Sequence, residues 1–189
     1  SGSVGNSSID RVAVSSTGFP YIVWVDNTLP GVDGIYGTGD DSIGGAADNE
    51  ILFTRWDGTQ WAKMDGSAGI EMISTVAGFE AKLPRIILDS SDNPYVVWDQ
   101  NVPAGDNEIY FTRWDGTKWA QMSGAAGTEN ISNNSSESSY PRILLDSNNR
   151  PNVVWQDDPT GTNTEIFFTH WDGSQWGTMT GTPGTENIS

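Results

Sequence analysis

The stretch E-I-Y-F-T-R-W-D-G-T-K-W at residues 108–119 occurs three times in this chain with small changes. The other copies are E-I-L-F-T-R-W-D-G-T-Q-W at 50–61 and E-I-F-F-T-H-W-D-G-S-Q-W at 165–176, so successive copies start 58 and 57 positions apart (108 − 50 and 165 − 108). The β-branched and aromatic run at 109–112 favours a strand. Asp115 and Gly116 then favour a two-residue type I′ turn, in which both central residues have positive φ. The stretch therefore predicts a β-hairpin that is repeated three times.

Two further strands are predicted in front of each hairpin. The first strand of each unit begins at an arginine: Arg11, Arg85 and Arg142. The second begins at a proline, where a strand tolerates proline best: Pro20, Pro94 and Pro151. In residues 85–88 and 95–98 apolar side chains fall on both faces, which is typical of a sheet that is covered on both sides.

Four short antiparallel strands in each unit form the blade of a β-propeller, where neighbouring blades cover both faces of every sheet. The predicted fold class is therefore all-β, with three four-stranded antiparallel propeller blades in the chain. We interpret residues 1–8 as an N-terminal tail or an expression scar. Blade 1 covers residues 9–74 and contains an acidic insertion at 30–48, blade 2 covers 75–132, and blade 3 covers 133–189.

The charge balance limits the partners of the chain. It contains 25 acidic and 9 basic residues, which gives a net charge of −16. Such a field repels phosphate backbones and anionic lipid, so we expect no nucleic-acid ligand and no membrane insertion. There is no cysteine, and hence no disulfide or thiol chemistry. We expect a protein that is extracellular or attached to the cell surface.

Three blades are too few to close a ring, because propellers use about four to eight. Blades at the two ends would each expose an apolar face and unpaired strand edges. The sequence therefore predicts that copies of the chain associate with one another. Two chains would form a six-bladed ring, and head-to-tail addition without closure would form a filament.

The pattern P-x-V-V-W … E-I-x-F-T-x-W-D-G-x-x-W resembles the blade repeats of secreted bacterial and archaeal surface propellers, which are grouped loosely with sialidase-like repeats. The sialidase Asp-box, S-x-D-x-G-x-T-W, is not matched, because Asp115 and Gly116 are adjacent. The W-D-G-x-x-W hairpin is also similar to that of small six-bladed fucose-binding lectins. That resemblance implies sugar sites between blades that use an arginine, a glutamate and a tryptophan, and it includes two-blade chains that assemble into full rings.

Residues that recur at the same position of every unit are interpreted as structural or as parts of repeated binding sites, because a single catalytic site has no reason to appear in each blade. The nine tryptophans recur in this way, and we interpret them as packing between blades or as sugar-stacking platforms. The arginines that begin the first strands are interpreted as a ring of ion pairs or backbone contacts, with carboxylate binding as the alternative.

The glutamates that open each repeat, Glu50, Glu108 and Glu165, are expected to pair with a basic neighbour or to cap the strand start. Arg55 and Arg113 recur in register with them, but none of these residues is assigned to the sugar site that the lectin resemblance implies. His170 replaces these arginines in the third unit and is interpreted as surface variation.

The acidic insertion of blade 1 breaks the repeat. Asp33, Asp40, Asp41 and Asp48 offer hard oxygen ligands among several glycines, a composition that suits Ca²⁺ with its six to eight oxygen ligands. The alternative is a solvated acidic loop, or a loop that docks a partner through Tyr36 and Ile43.

The leading functional hypothesis is a non-enzymatic extracellular propeller with a structural or adhesive role through self-assembly. The alternative is a lectin with one glycan site at each blade junction. A fragment of a sialidase-like glycoside hydrolase is the third hypothesis. No cofactor other than calcium is expected.

Overall fold

The computed structural model describes residues 5–29, 42–43, 49–74, 79–103 and 105–189. Within these residues the chain is all-β and contains no helix, as the sequence predicts. No helix in this part of the chain is therefore available to cross a membrane. Three antiparallel sheets follow one another along the chain, one for each repeat unit, and they are propeller-like blades.

Blade 1 contains strands β1 to β7. Their bounds are β1 Ser7–Val14, β2 Pro20–Asp26, β3 Thr28–Leu29, β4 Ser42–Ile43, β5 Glu50–Trp56, β6 Trp61–Ala62 and β7 Glu71–Met72. The sheet runs β1-β2-β5-β6, and β7 also pairs with β5. β3 and β4 form a separate two-stranded ribbon.

Blades 2 and 3 repeat this order without the ribbon. The strands of blade 2 are β8 Ala81–Leu88, β9 Pro94–Asn101, β10 Asn107–Trp114, β11 Trp119–Ala120 and β12 Glu129–Asn130. Those of blade 3 are β13 Glu137–Leu145, β14 Pro151–Asp158, β15 Glu165–Trp171, β16 Trp176–Gly177 and β17 Glu186–Asn187. The fourth position of each blade is thus occupied by two short strands, which pair with opposite ends of the third strand.

The first strand of each blade begins four or five residues before its arginine, so the predicted start at the arginine is wrong. A β-bulge lies between Ser8 and Arg11, between Lys82 and Arg85, and between Ser139 and Arg142. In blades 2 and 3 the bulge contains a residue with positive φ, Leu83 at 51° and Tyr140 at 59°. An extra residue in one strand breaks the alternation of side chains. The segment before the bulge therefore carries no clear strand pattern in the sequence.

The hairpin prediction is confirmed, but the predicted turn type is wrong. In blade 2, Trp114 pairs with Trp119, so residues 115–118 form a four-residue loop. Only Gly116 in this loop has positive φ, at 101°. The Asp115 carboxylate accepts hydrogen bonds from the amides of Thr117 (2.9 Å) and Lys118 (3.0 Å), so its side chain holds the loop together. Asp57 and Asp172 hold the corresponding loops in the same way.

Two apolar cores lie between the blades. In the first, one face of blade 1 with Val23, Ile51 and Phe53 packs against Val96 and Trp98 of blade 2. In the second, the opposite face of blade 2 packs against blade 3 in the same manner. Strand β9 is consequently buried along almost its whole length, whereas buried and partly exposed residues alternate along β14. The prediction of a sheet covered on both sides is confirmed for the middle blade.

Candidate functional site

An arginine, a glutamate and a tryptophan lie near one another at the junction of blades 1 and 2. On the β5 strand, Arg55 pairs with Tyr21 and Phe53 pairs with Glu71, so these four side chains share the face that is directed to blade 2. The Arg55 guanidinium carbon lies 5.8 Å from the centre of the Tyr21 ring. Trp119 of blade 2 packs edge-on against Phe53, with ring centres 5.1 Å apart.

The same arrangement is repeated at the junction of blades 2 and 3. Arg113 lies 5.9 Å from the centre of the Tyr95 ring, and Phe111 lies 5.2 Å from Trp176 of blade 3, centre to centre. Glu129 pairs with Phe111 and so lies on the same face. We refer to these two sites as the first junction cleft (Arg55, Glu71, Trp119) and the second junction cleft (Arg113, Glu129, Trp176).

Among the described residues, each junction cleft contains two buried N–H donors that lack a hydrogen bond of good geometry. These atoms are Nε of Arg55 and Nε1 of Trp119 in the first cleft, and Nε of Arg113 and Nε1 of Trp176 in the second. Nearly all buried polar atoms in folded proteins have a partner, so each exception requires an explanation. The same two atom types are unpartnered at both junctions.

The glutamates supply the acceptor of each cleft. Oε1 of Glu71 accepts a hydrogen bond from the Met64 amide, and Oε1 of Glu129 accepts one from the Met122 amide, both at 2.7 Å. Burial raises the pKa of both carboxyls, and the Met amide and the facing indole partly offset this effect. The indole N–H groups are therefore close to the carboxylates, although neither forms a hydrogen bond of good geometry. Each cleft thus combines N–H donors, a fixed carboxylate and an aromatic wall.

The glutamates that open the repeats are hydrogen-bonded to the serine that ends the same repeat unit. The carboxylates of Glu50 and Glu108 accept hydrogen bonds from the hydroxyls of Ser74 and Ser132, and Glu165 accepts one from Ser189 at 2.6 Å. In each case the same serine oxygen accepts a hydrogen bond from the amide that follows the glutamate. We call this arrangement the Glu–Ser latch, because it fastens the end of each repeat to its third strand.

The three first-strand arginines lie on neighbouring strands, because β8 packs against both β1 and β13. Each donates from Nη1 to the carbonyl oxygen of the preceding residue. None of them forms a salt bridge within the part of the chain that the structure describes. Burial, together with the charges of Arg142 and Arg11, lowers the pKa of Arg85 to about 10. The structure thus gives these arginines backbone contacts, one of the two structural interpretations made from the sequence.

Asp99 is a buried carboxyl that has no counterpart in the other blades. Its position in the repeat is Val25 in blade 1 and Gln156 in blade 3. Asp99 is only 2% exposed, and its Oδ1 has no hydrogen-bond partner among the described residues. Burial raises its pKa to about 7, although the Tyr140 amide and Arg85 act in the opposite direction. A buried carboxyl with a strongly raised pKa is more common at functional positions than elsewhere, and this one lies between blades 2 and 3.

His170 occupies the place of Arg55 and Arg113 in blade 3. Its Nε2 lies 3.1 Å from the carbonyl oxygen of Thr178, and its ring stacks on Phe168. No further blade follows in the structure, so this position has no facing tryptophan in the described part of the chain.

The four aspartates predicted to bind calcium, Asp33, Asp40, Asp41 and Asp48, lie outside the described residues. Among the residues that are described, no group of three or more His, Cys, Asp or Glu side chains is placed to hold a metal ion. Calcium binding by the insertion therefore stays a prediction of the sequence.

Sequence reasoning missed Glu71 and Glu129. Both stand in the sequence G-x-E-x-I-S, which recurs at 69–74, 127–132 and 184–189. This repeat was visible, but nothing in the sequence shows that the segment turns back to pair with the third strand and so places the glutamate beside an arginine. Only the strand pairing provides that information.

The sheets and their packing define the chain as a set of propeller-like blades. Neither a known protein family nor a curated protein matches the sequence. Among solved structures, the chain is similar to an ulvan lyase of a new polysaccharide lyase family bound to -[GlcA(1-4)Rha3S]-, with 12% identity over 90% of this chain and 42% of that chain and a TM-score of 0.61.

Two further solved structures are similar over 89% of this chain. One is a fucose lectin from Kordia zhangzhouensis in complex with methyl-fucoside, with 17% identity, 95% of that chain covered and a TM-score of 0.47. The other is an endo-arabinase from Bacteroides thetaiotaomicron, with 12% identity, 58% of that chain covered and a TM-score of 0.49. The chain thus spans less than two thirds of the lyase and of the arabinase. At these identities the similarities concern the fold.

Proposed function

We propose that the protein is a non-enzymatic extracellular lectin with a glycan-binding cleft at each blade junction. The observation that carries the proposal is the pair of junction clefts, each with an arginine Nε and a tryptophan Nε1 that lack a well-formed hydrogen bond among the described residues and lie beside an oriented glutamate. A sugar hydroxyl accepts from the N–H groups and donates to the carboxylate, while the apolar face of the ring packs on aromatic side chains.

The charge of the cleft favours a neutral sugar over an anion. Each cleft contains one guanidinium and one carboxylate, Lys63 and Asp65 also act on Glu71, and the chain as a whole carries −16. A phosphate or sulfate placed next to Glu71 or Glu129 would be repelled by the carboxylate. The repetition of the cleft at both junctions also favours binding over catalysis, because a catalytic site has no reason to recur at each junction.

The structural or adhesive role predicted from the sequence is compatible with this proposal. Several identical clefts on one assembled particle bind a surface that displays many glycans more tightly than a single cleft does, because the later contacts are intramolecular. The exposed apolar side chains of the end blades, such as Val12 and Ile188, support such an assembly.

The test is a glycan array followed by calorimetry with methyl fucoside as the first probe. The double variant Glu71→Gln and Glu129→Gln keeps the Oε1 that accepts from the methionine amides but removes the charge. Because hydrogen bonds to a charged group contribute about 1.5–3 kcal/mol, we expect binding to weaken roughly tenfold to a hundredfold.

The variant Trp119→Phe with Trp176→Phe removes only the indole N–H groups and retains the aromatic packing. A loss of about fivefold in affinity is expected for one neutral hydrogen bond. Trp24→Phe is the matched control, because Trp24 lies on the face of blade 1 opposite to Tyr21 and Arg55 and belongs to neither cleft. A wild-type protein that binds no glycan, or variants that bind as tightly as the wild type, would refute the proposal.

A further inference from the structure

The outer face of blade 3 exposes residues whose counterparts are buried in the other blades. Ile166 is 36% exposed, whereas Ile51 and Ile109 at the same position are fully buried. Ile188 is 56% exposed, against 2% and 5% for Ile73 and Ile131. Leu144 and Met179 are exposed on the same face. This face has the side chains of a blade junction without the neighbouring blade.

The outer face of blade 1 exposes residues whose counterparts in blades 2 and 3 contact the preceding blade. Val12 and Val14 are 61% and 62% exposed, whereas their counterparts in blade 2, Ile86 and Leu88, pack against the first core. Trp61 is 43% exposed, although the corresponding Trp119 and Trp176 are packed against the preceding blade. Blade 1 therefore presents the surface that blades 2 and 3 use to contact the blade before them.

The two open faces match each other, because the chain already contains this contact twice. Blade 1 meets blade 2 through the first pair of faces, and blade 2 meets blade 3 through the same pair. In the second contact β13 packs on β9 and β10. The corresponding place on blade 3 is a depression of about 260 Å³ lined by Tyr140, Arg142, Val154, Trp155, Gln156 and Ile166. The strand with the right counterpart residues to fill it is β1 of a second copy.

Blade 3 also carries an incomplete junction cleft. The Met179 amide donates to Oε1 of Glu186 at 3.2 Å, as the Met64 and Met122 amides do for Glu71 and Glu129. His170 stands in the place of the arginine. The facing tryptophan is missing, and its counterpart in the repeat is Trp61 on the open face of blade 1.

We infer that blade 3 of one copy docks on blade 1 of a second copy, and that this contact completes a third glycan cleft from His170 and Glu186 of one copy and Trp61 of the other. The glycan part of this inference rests on the proposed function, and the docking part does not. The third cleft differs from the other two in one donor, because a histidine replaces the arginine. Two copies that dock in this way at both ends form a six-bladed ring, and open addition forms a filament with the same contact.

Cysteine cross-linking tests the docking without a ligand. The chain has no cysteine, so introduced pairs report on single positions. At the junction of blades 2 and 3, the Ser90 hydroxyl accepts a hydrogen bond from the Asn149 side chain at 2.8 Å. The equivalent pair across the proposed contact is Ser147 of one copy and Gly18 of the other. A side chain at Gly18 meets no atom within 4 Å, although its φ of +86° makes the substitution strained.

The double variant Ser147→Cys with Gly18→Cys is expected to form covalent dimers or longer covalent chains on mild oxidation. Ser90→Cys with Asn149→Cys is the positive control and is expected to close within one chain. Light scattering of the wild type at low micromolar concentration is expected to give two chains or more per particle. A wild type with the mass of one chain, or cross-linking no greater than that of the two single-cysteine variants, would overturn the docking.

Complementation tests the shared cleft. Trp61→Ala and Glu186→Gln are each expected to abolish methyl-fucoside binding at the third cleft and to keep binding at the first and second junction clefts. A mixed assembly of both variants, purified through two different tags, is expected to regain part of it, because Glu186 of one variant then faces Trp61 of the other. Single variants with the wild-type number of sites, or a mixed assembly without recovery, would overturn the shared cleft. If the wild type binds no glycan at all, the proposed function and the third cleft both fail, and the cross-link alone decides the docking.

Discussion

Asp99 shows how strongly one residue can depart from the repeat in which it stands. The residues at the equivalent positions of the other blades are an apolar valine and an exposed glutamine, whereas Asp99 is buried and one of its carboxylate oxygens has no partner among the described residues. Burying a charge without full hydrogen bonding is unfavourable, so the carboxyl favours its protonated form. The junction of blades 2 and 3 consequently responds to pH in a way that the junction of blades 1 and 2, with Val25, does not.

The pH dependence of stability tests whether the folded state favours the protonated form of Asp99. Because the folded pKa of Asp99 is about 7 and its ordinary value is 3.8, the folded state holds more protons between these values. The contribution of Asp99 to stability therefore falls as the pH rises through this window. Asp99→Asn keeps the size and removes the titration. As the pH rises from 4 to 8, the free energy of unfolding of the variant is expected to increase relative to that of the wild type. The increase is at most about 4 kcal/mol, because one pKa unit corresponds to about 1.4 kcal/mol.

Urea unfolding at the two pH values measures this difference. A stability difference between variant and wild type that is the same at both pH values would show that Asp99 does not titrate between them.

At the scale of single elements, each repeat is closed by contacts that are far apart in sequence. The last two residues of each G-x-E-x-I-S segment return to the third strand, where the serine forms the Glu–Ser latch. The hairpin loop before it is held by its aspartate, whose pKa is lowered by hydrogen bonds to the loop. Each blade therefore has a local fastening at the hairpin and a distant one at the latch.

Ser132→Ala tests the latch. Ser132 is buried, donates to Glu108 and accepts from the Ile109 amide at 2.8 Å, so the alanine leaves two buried polar groups without this partner. The expected loss is about 1–3 kcal/mol in the free energy of unfolding. Ser189→Ala removes the same pair of contacts at an exposed position and is expected to cost clearly less, because water replaces them. If both variants lose the same free energy of unfolding in chemical denaturation, burial does not determine how much the latch contributes to stability.

At the scale of the whole molecule, apolar faces and a strong negative charge act against each other. Each copy carries −16, so two copies repel one another before their open faces meet. The exposed isoleucine and valine side chains of blades 3 and 1 supply the attraction, which salt does not screen.

Self-association is therefore expected to strengthen as the ionic strength rises. The Debye length falls from about 30 Å at 0.01 M to about 10 Å at 0.1 M salt, which screens repulsion between the copies but leaves apolar contact intact. Sedimentation velocity at low and moderate NaCl concentrations measures the change. The variant Ile166→Glu, which places a charge on the open face of blade 3, is the control and is expected to remain monomeric in both. Association that weakens with added salt would identify an ionic contact in place of the apolar one.

The sequence by itself determined the number of blades, the order of their strands and the hairpins, because these depend on local patterns that occur three times. Alternating and apolar runs, the proline at each second strand and the W-D-G-x-x-W segment all act over a few residues. It also determined which residues to set aside as repeated structure, such as the turn aspartates. The bulged starts of the first strands were not predictable, since a bulge removes the alternation that marks a strand.

Only the tertiary structure decided which repeated residues meet across a junction. Arg113, Glu129 and Trp176 come from three strands in two blades, and their meeting depends on strand register and on the packing of one sheet against the next. Packing between blades 2 and 3 buries Asp99, and Trp61 of blade 1 stays exposed because no blade packs on it in the structure, whereas the sequence shows neither difference in burial. Strand register and burial arise from contacts between segments that are distant in sequence, so they cannot be predicted from local sequence patterns alone.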